Sequence, residues 1–306
     1  MWLRDLSQLL KEAAEAWLDD GATRLSSSLA YYAIFSLAPL LVIVIAIAGL
    51  VYGEQAAQGQ IAQQISALAG ARAAEAIQML VQSSAESKGT GILASSLGLV
   101  VLIFGASTVF AELKDALNTV WGVVVKPGCP VWSLVRARLK SFLAVLGIGF
   151  VLLASLLVSA TISAAGKLMG AVLPVPKGVW YGVDFLVSFA VISVLFAMVF
   201  KMLPSVRIRW RDVAVGAVGT AFLFTVGKFL IGLYLGRSGI ASGFGAAGSL
   251  VVLLAWIYYS ACILFFGAEF TKVYACKFGG GVVPRRNAEL LRDVLCAKYK
   301  LVPPSE

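Results

Sequence analysis

Six stretches of this chain run for about 20 residues with almost no charge, which decides the solvent in which most of it must fold, because a helix needs about that length to cross a hydrocarbon layer of about 30 Å. The runs are Leu29 to Tyr52, Gly91 to Phe110, Phe142 to Ser163, Val183 to Phe200, Val213 to Leu235 and Ser249 to Ala268. Composition agrees. Of 306 residues, 60% are hydrophobic and 13% charged, against about 45–50% and 25% in soluble domains. The expected fold is all-α: a polytopic membrane protein with six transmembrane helices in residues 29–270. An amphipathic segment, 1–28, precedes them and a cytoplasmic tail, 271–306, follows. The first run is not read as a cleaved signal, since 28 residues, five of them acidic, come before it.

Basic residues set the orientation. Of 25 Lys and Arg, 19 fall in the N-terminal segment, the alternate connections and the tail, five fall on the opposite side, and Lys228 lies within the fifth run. Cytoplasmic loops accumulate Lys and Arg, so both termini are expected in the cytoplasm. On that topology Cys129, Cys276 and Cys296 are cytoplasmic and Cys262 lies in the sixth run, so no disulfide is expected.

Between the runs, Trp2, Leu6, Leu9, Leu10, Ala13 and Trp17 recur at helical spacing, which predicts an amphipathic helix lying either on the membrane face or on the protein's own loops. The connection 54–90 is expected to form one or two short external helices, as a lid or as a cover for helix ends. Leu113, Leu117, Val120 and Trp121 extend the second helix past the membrane, with Glu112, Lys114, Asp115 and Asn118 on its other faces. The glycine-rich segment 236–248 is an external loop without a phosphate-binding pattern. A short helix is expected near Ala288 to Tyr299 in a tail that is otherwise partly disordered. Gly49 with Gly53 and Gly232 with Gly236 have the spacing that permits close helix crossing.

The chain has no histidine, which excludes His-based triads, His-bound zinc and imidazole proton relays. No metal site and no cofactor are expected. Within the spans the ionisable residue that most invites a role is Lys228, because lysine in hydrocarbon costs on the order of 2.5–3.5 kcal/mol. Three readings stand: a pair with Asp184, the acidic residue at a similar depth; a watery cavity that attracts an anionic head group; or snorkelling to the outer surface. Pro39 removes a backbone donor and frees the carbonyl of Phe35, so a kink is expected beside a polar stretch containing Tyr31, Tyr32 and Ser36. These residues, with Lys228 and Asp184, form the candidate substrate pathway. At the cytoplasmic ends, Glu112 and Glu269 are candidates for an inner gate or for pairing with Arg24 or Lys114, near Asn118.

Three segments, DGATRLSSSLAYYAIFSLAPLL, FGASTVFAELKDALNTVWG and GSLVVLLAWIYYSACILFFGAEF, resemble in order and spacing the YihY/BrkB family of bacterial inner-membrane proteins. Arg24, Tyr31, Tyr32, Ser36 and Pro39 match the first motif, Leu113, Lys114, Asn118 and Trp121 the second, and Gly267 and Glu269 the third. The resemblance implies a six-helix inner-membrane protein. Members have been labelled ribonuclease BN, linked to serum resistance, and proposed as transporters of lipids or lipopolysaccharide precursors. It carries over no catalytic residue. A zinc ribonuclease needs histidine, and the basic cytoplasmic face is explained by topology without specific nucleic acid. The expected function is therefore a non-enzymatic transporter or flippase for a lipid or other amphipathic anion, with membrane lipids as partners. A non-transporting scaffold for envelope assembly is the rival.

Overall fold

The computed structural model describes the backbone of residues 2–52, 108–126, 177–237 and 248–291, with isolated helical positions between 59 and 79. Helices α1 (Trp2–Asp19), α2 (Ala22–Tyr52), α3 (108–120), α4 (Lys177–Met202), α5 (Trp210–Arg237) and α6 (Gly248–Lys277) carry most of it. Four short strands, β1 (Val123–Val125), β2 (Val206–Arg207), β3 (Val283–Pro284) and β4 (Ala288–Leu290), follow α3, α4 and α6.

Among the described residues, three helices have the length and apolar composition to cross a membrane, along Phe185–Met202, Trp210–Tyr234 and Leu250–Lys277. They correspond to the fourth, fifth and sixth runs. The first run lies along α2, whose 31 residues span about 46 Å at 1.5 Å per residue, so its polar first turns extend beyond a bilayer. The third run, most of the second and most of the 54–90 connection lie outside the described residues. Helix α6 continues nine residues past the expected end at Ala268, because Thr271, Ala275 and their neighbours are buried against other helices and not left to solvent.

The α5–α6 crossing is built by two reciprocal pairs. A Cβ placed on Gly216 would overlap the Thr271 side chain, and one placed on Gly267 would overlap Thr220. Each threonine in turn donates its hydroxyl to the glycine one turn back on its own helix, Thr220 to the Gly216 carbonyl at 2.7 Å and Thr271 to that of Gly267 at 2.6 Å. The hydroxyls are thereby satisfied inside an apolar contact, as membrane packing requires. The expected Gly232 spacing plays no such part, since that position faces open space. Phe224 on α5 packs edge-on against Phe196 of α4 and Trp256 of α6, with ring centroids 5.7 and 6.3 Å apart, which joins α4 to the pair.

The buried core gathers at the basic end, the end that carries Lys201, Arg207, Arg209, Lys272 and Lys277. Phe200, Leu117, Val120, Val213 and Phe265 meet there with no more than a trace of exposed surface. Two antiparallel ladders close this end: β1 with β4, pairing Val123 with Leu290 and Val125 with Ala288, and β2 with β3, pairing Val206 with Pro284. The tail is therefore strand at Val283–Pro284 and Ala288–Leu290, so the short helix expected near Ala288 to Tyr299 does not begin at Ala288, and residues 292–299 lie outside the described residues. Its backbone donors and acceptors are claimed by β1 and β2, and Arg285 fixes it further by donating to the carbonyls of Val206 and Lys201 at 3.1 and 3.0 Å.

The amphipathic stripe of α1 meets its own protein. Leu9 and Ala13 are buried, while Leu6, Leu10 and Leu18 stay exposed. Lys277 pairs with Glu12 at 2.9 Å, and this lysine beside it holds the Glu12 carboxyl below its ordinary range. Gly21, at φ 63°, takes the left-handed conformation that ends α1 and lets α2 start in a new direction.

Candidate functional site

Glu269 and Lys272 stand three residues apart on α6, hence on one face of the helix. The Gly21 turn carries Asp20 to the same place. Lys272 Nζ lies 2.9 Å from Glu269 Oε2 and 3.2 Å from Asp20 Oδ2, so one ammonium serves two carboxylates. Glu269 has no exposed surface, whereas Lys272 and Asp20 each keep roughly a quarter to a third. Beyond this ion pair and the neighbouring Asp20, no side chain among the described residues is paired with the Glu269 carboxylate. Such a carboxylate, desolvated and incompletely compensated, is costly to keep buried.

The expected partners of this acid lie elsewhere. Arg24 is exposed and Lys114 is half-buried on α3, and among the described residues the ion pair to Glu269 comes from Lys272 and from neither of them. Glu112 accepts a hydrogen bond of 2.5 Å from the Ser28 hydroxyl, which joins α3 to α2. Asn118 is buried, not on an outer face: its Oδ1 accepts the backbone N–H of Ser205 at 2.8 Å and so ties α3 to the turn after α4. Lys272 was readable as a partner from its spacing to Glu269. Asp20 was not, because its role depends on a turn 252 residues away in sequence.

Beside this cluster, α1, α5 and α6 enclose a cavity of about 480 Å³, lined by Trp17 and Leu18 of α1, Leu223, Val226, Gly227 and Leu230 of α5, and Tyr259, Cys262, Ile263 and Phe266 of α6. Its walls are almost wholly apolar. Those of the expected substrate-pathway residues whose side chains are described, Lys228, Tyr31, Tyr32 and Ser36, do not line it. Lys228 is half-buried on the α5 face shared with Phe224, across the helix from the cavity. Tyr31 is exposed with its ring tilted against that of Phe35, and Tyr32 is half-buried. Ser36 is buried and donates to the carbonyls of Tyr32 and Ala33, not to that of Phe35. The side chains of Pro39 and Asp184 lie outside the described residues.

The sequence profile of the family described as Virulence factor BrkB matches residues 13–289. A UPF0761 membrane protein of Verminephrobacter eiseniae is 30% identical over 282 residues, which cover 88% of this chain and 64% of that one. Namesakes in Teredinibacter turnerae and Rhodospirillum centenum are 25% and 24% identical, over 88% of this chain and 61% and 58% of theirs. The chain thus spans about three fifths of the length of these relatives. No solved structure matches. With a profile matched over residues 13–289 and helices apolar enough to cross a membrane inside that stretch, the chain belongs to the YihY/BrkB family of membrane proteins.

Proposed function

We propose that this integral membrane protein is a transporter or flippase for a lipid or other amphipathic anion, with six spans in the bacterial inner membrane and both termini in the cytoplasm. The observation that carries the reading is Glu269. An ionisable side chain within a spanning helix is expensive and usually marks a pathway or relay, and this one is fully buried and is held at the basic end by the partly exposed ammonium of Lys272. A basic face at the cytoplasmic mouth would concentrate anionic substrates. The chain lacks histidine and a nucleotide-binding loop, so the reading is non-enzymatic, with energy drawn from an ion gradient or a partner. Lipopolysaccharide precursors and phospholipids are the candidate cargo.

Reconstitution into liposomes with fluorescent phospholipids and a labelled lipid A precursor tests this. Lipid movement is expected to exceed that of protein-free vesicles, and Glu269→Gln is expected to slow it by about tenfold, the effect of about 1.4 kcal/mol on a barrier. Absence of movement across several lipids and imposed gradients refutes transport and leaves the scaffold reading.

A further inference from the structure

We propose that the cavity between α1, α5 and α6 is a phospholipid site: it takes one acyl chain of a lipid from the cytoplasmic leaflet, and Arg24 holds that lipid's phosphate. The proposal deepens the reading above and rests on it for the orientation of the basic end. The α5 wall runs from Leu223 to Leu230, seven residues or about 10 Å along the helix axis, and the α6 wall from Tyr259 to Phe266 is as long. The space is therefore a slot parallel to the spanning helices. Leu18, Leu223, Val226 and Leu230 are lining residues that also keep 37–66% of their surface exposed, so among the described residues the slot opens sideways along helices that cross the membrane. Hydrocarbon is what reaches that opening. Water does not fill such a slot stably, because a buried water needs two to four polar partners and the walls offer little beyond the Tyr259 hydroxyl, the Cys262 thiol and the Trp17 indole.

The α1 end of the slot decides the head group. Helix α1 is clamped on α6 by the Glu12–Lys277 pair, with Leu6 and Leu10 exposed beside it, and it covers the basic end of the slot with Ala14, Trp17 and Leu18. The Gly21 N–H bonds back to the Leu18 carbonyl at 3.1 Å. The left-handed turn at Gly21 lets Arg24 fold back, with its guanidinium 3.9 Å from where a Cβ on Gly21 would stand. An exposed guanidinium with no carboxylate partner among the described residues thus lies one turn from the slot's wall. Arginine presents paired donors suited to a phosphate. An apolar slot with one such cation at its membrane-surface end complements a phospholipid, apolar below and anionic above.

The test is photocrosslinking of the full chain in nanodiscs, with phosphatidylglycerol carrying a diazirine on its acyl chain and with diacylglycerol carrying the same chain. Crosslinks are expected on the peptides containing Leu223–Leu230 and Tyr259–Phe266, with phosphatidylglycerol favoured. Val226→Trp, which fills the slot from its open side, is expected to lower the yield about tenfold, with Leu223→Trp as a second variant should the first not fold. Leu233→Trp, on the same helix outside the slot, serves as the control and is expected to have no effect. Arg24→Gln is expected to bring the two probes to equal yield. Equal labelling of α4 and the slot, yields indifferent to Val226→Trp, or crosslinks within the chain's own tail or a second copy in place of lipid would each overturn the proposal. Because the readout is occupancy, labelling without lipid movement in liposomes leaves the site standing and refutes transport, and movement without labelling does the reverse.

Discussion

Lys272 neutralises Glu269 and also reaches Asp20, so its removal leaves two carboxylates facing each other, one of them wholly buried. Breaking a buried pair typically costs about 3–5 kcal/mol, and the lower end applies here because Lys272 keeps 26% of its surface in water. Lys272→Met is therefore expected to destabilise the detergent-solubilised protein by about 3 kcal/mol, and adding Glu269→Leu to recover most of it. Thermal unfolding of the single and double variants measures this. A double variant no more stable than the single one would show that Glu269 is not held by Lys272. From the sequence, Glu269 is expected at the cytoplasmic end of the sixth span, as an inner gate or paired with Arg24 or Lys114; it stands inside α6, which runs on to Lys277, and beside Lys272. Arg24 and Lys114 are near it by membrane depth, whereas Lys272 is near it by helical phase, and at a distance of 2.9 Å phase decides.

At the level of helices, the α5–α6 contact depends on two glycines that accept threonines from the facing helix. Gly267→Ala puts a methyl into the space of Thr220, an overpacking that costs about 1–3 kcal/mol. Thr220→Gly empties that space. The two changes together are expected to be less destabilising than their sum by at least about 1 kcal/mol, measured as a double-mutant cycle on unfolding, whereas strict additivity would mean that the helices do not meet there. Glycine spacing by itself did not point to this pair. Gly216 and Gly267 lie on different helices, one glycine to each, and the partner that makes each useful is a threonine of the facing helix, Thr271 for Gly216 and Thr220 for Gly267. The same applies to the strands: Val123–Val125 and Ala288–Leu290 are too short to show an alternating pattern, and each is a strand because the other lies beside it.

For the whole molecule, the charge asymmetry makes a topology prediction. Reporter fusions after residue 306 and ahead of residue 1 are expected to be active in the cytoplasmic orientation, and a fusion in the 236–248 segment in the opposite one. A periplasmic terminus would overturn the assignment. Membrane residence, the long helices and the amphipathic start were legible in the sequence, because hydrocarbon imposes a length and a composition on any helix that crosses it. Lys228 and the polar turns of α2 were legible as unusual, yet they do not line the cavity, since a one-dimensional pattern gives the depth of a side chain and not the neighbour it faces. What only the tertiary structure decided is which faces meet: Asp20 with Lys272, glycine with threonine, tail with loop, and α1 across α5 and α6 to enclose an apolar slot. Lipid solvates every apolar face of a helix equally well, so within the membrane composition carries little information about partners. Small residues, satisfied hydroxyls and charge pairs specify them instead, and these become visible only when the helices are placed side by side.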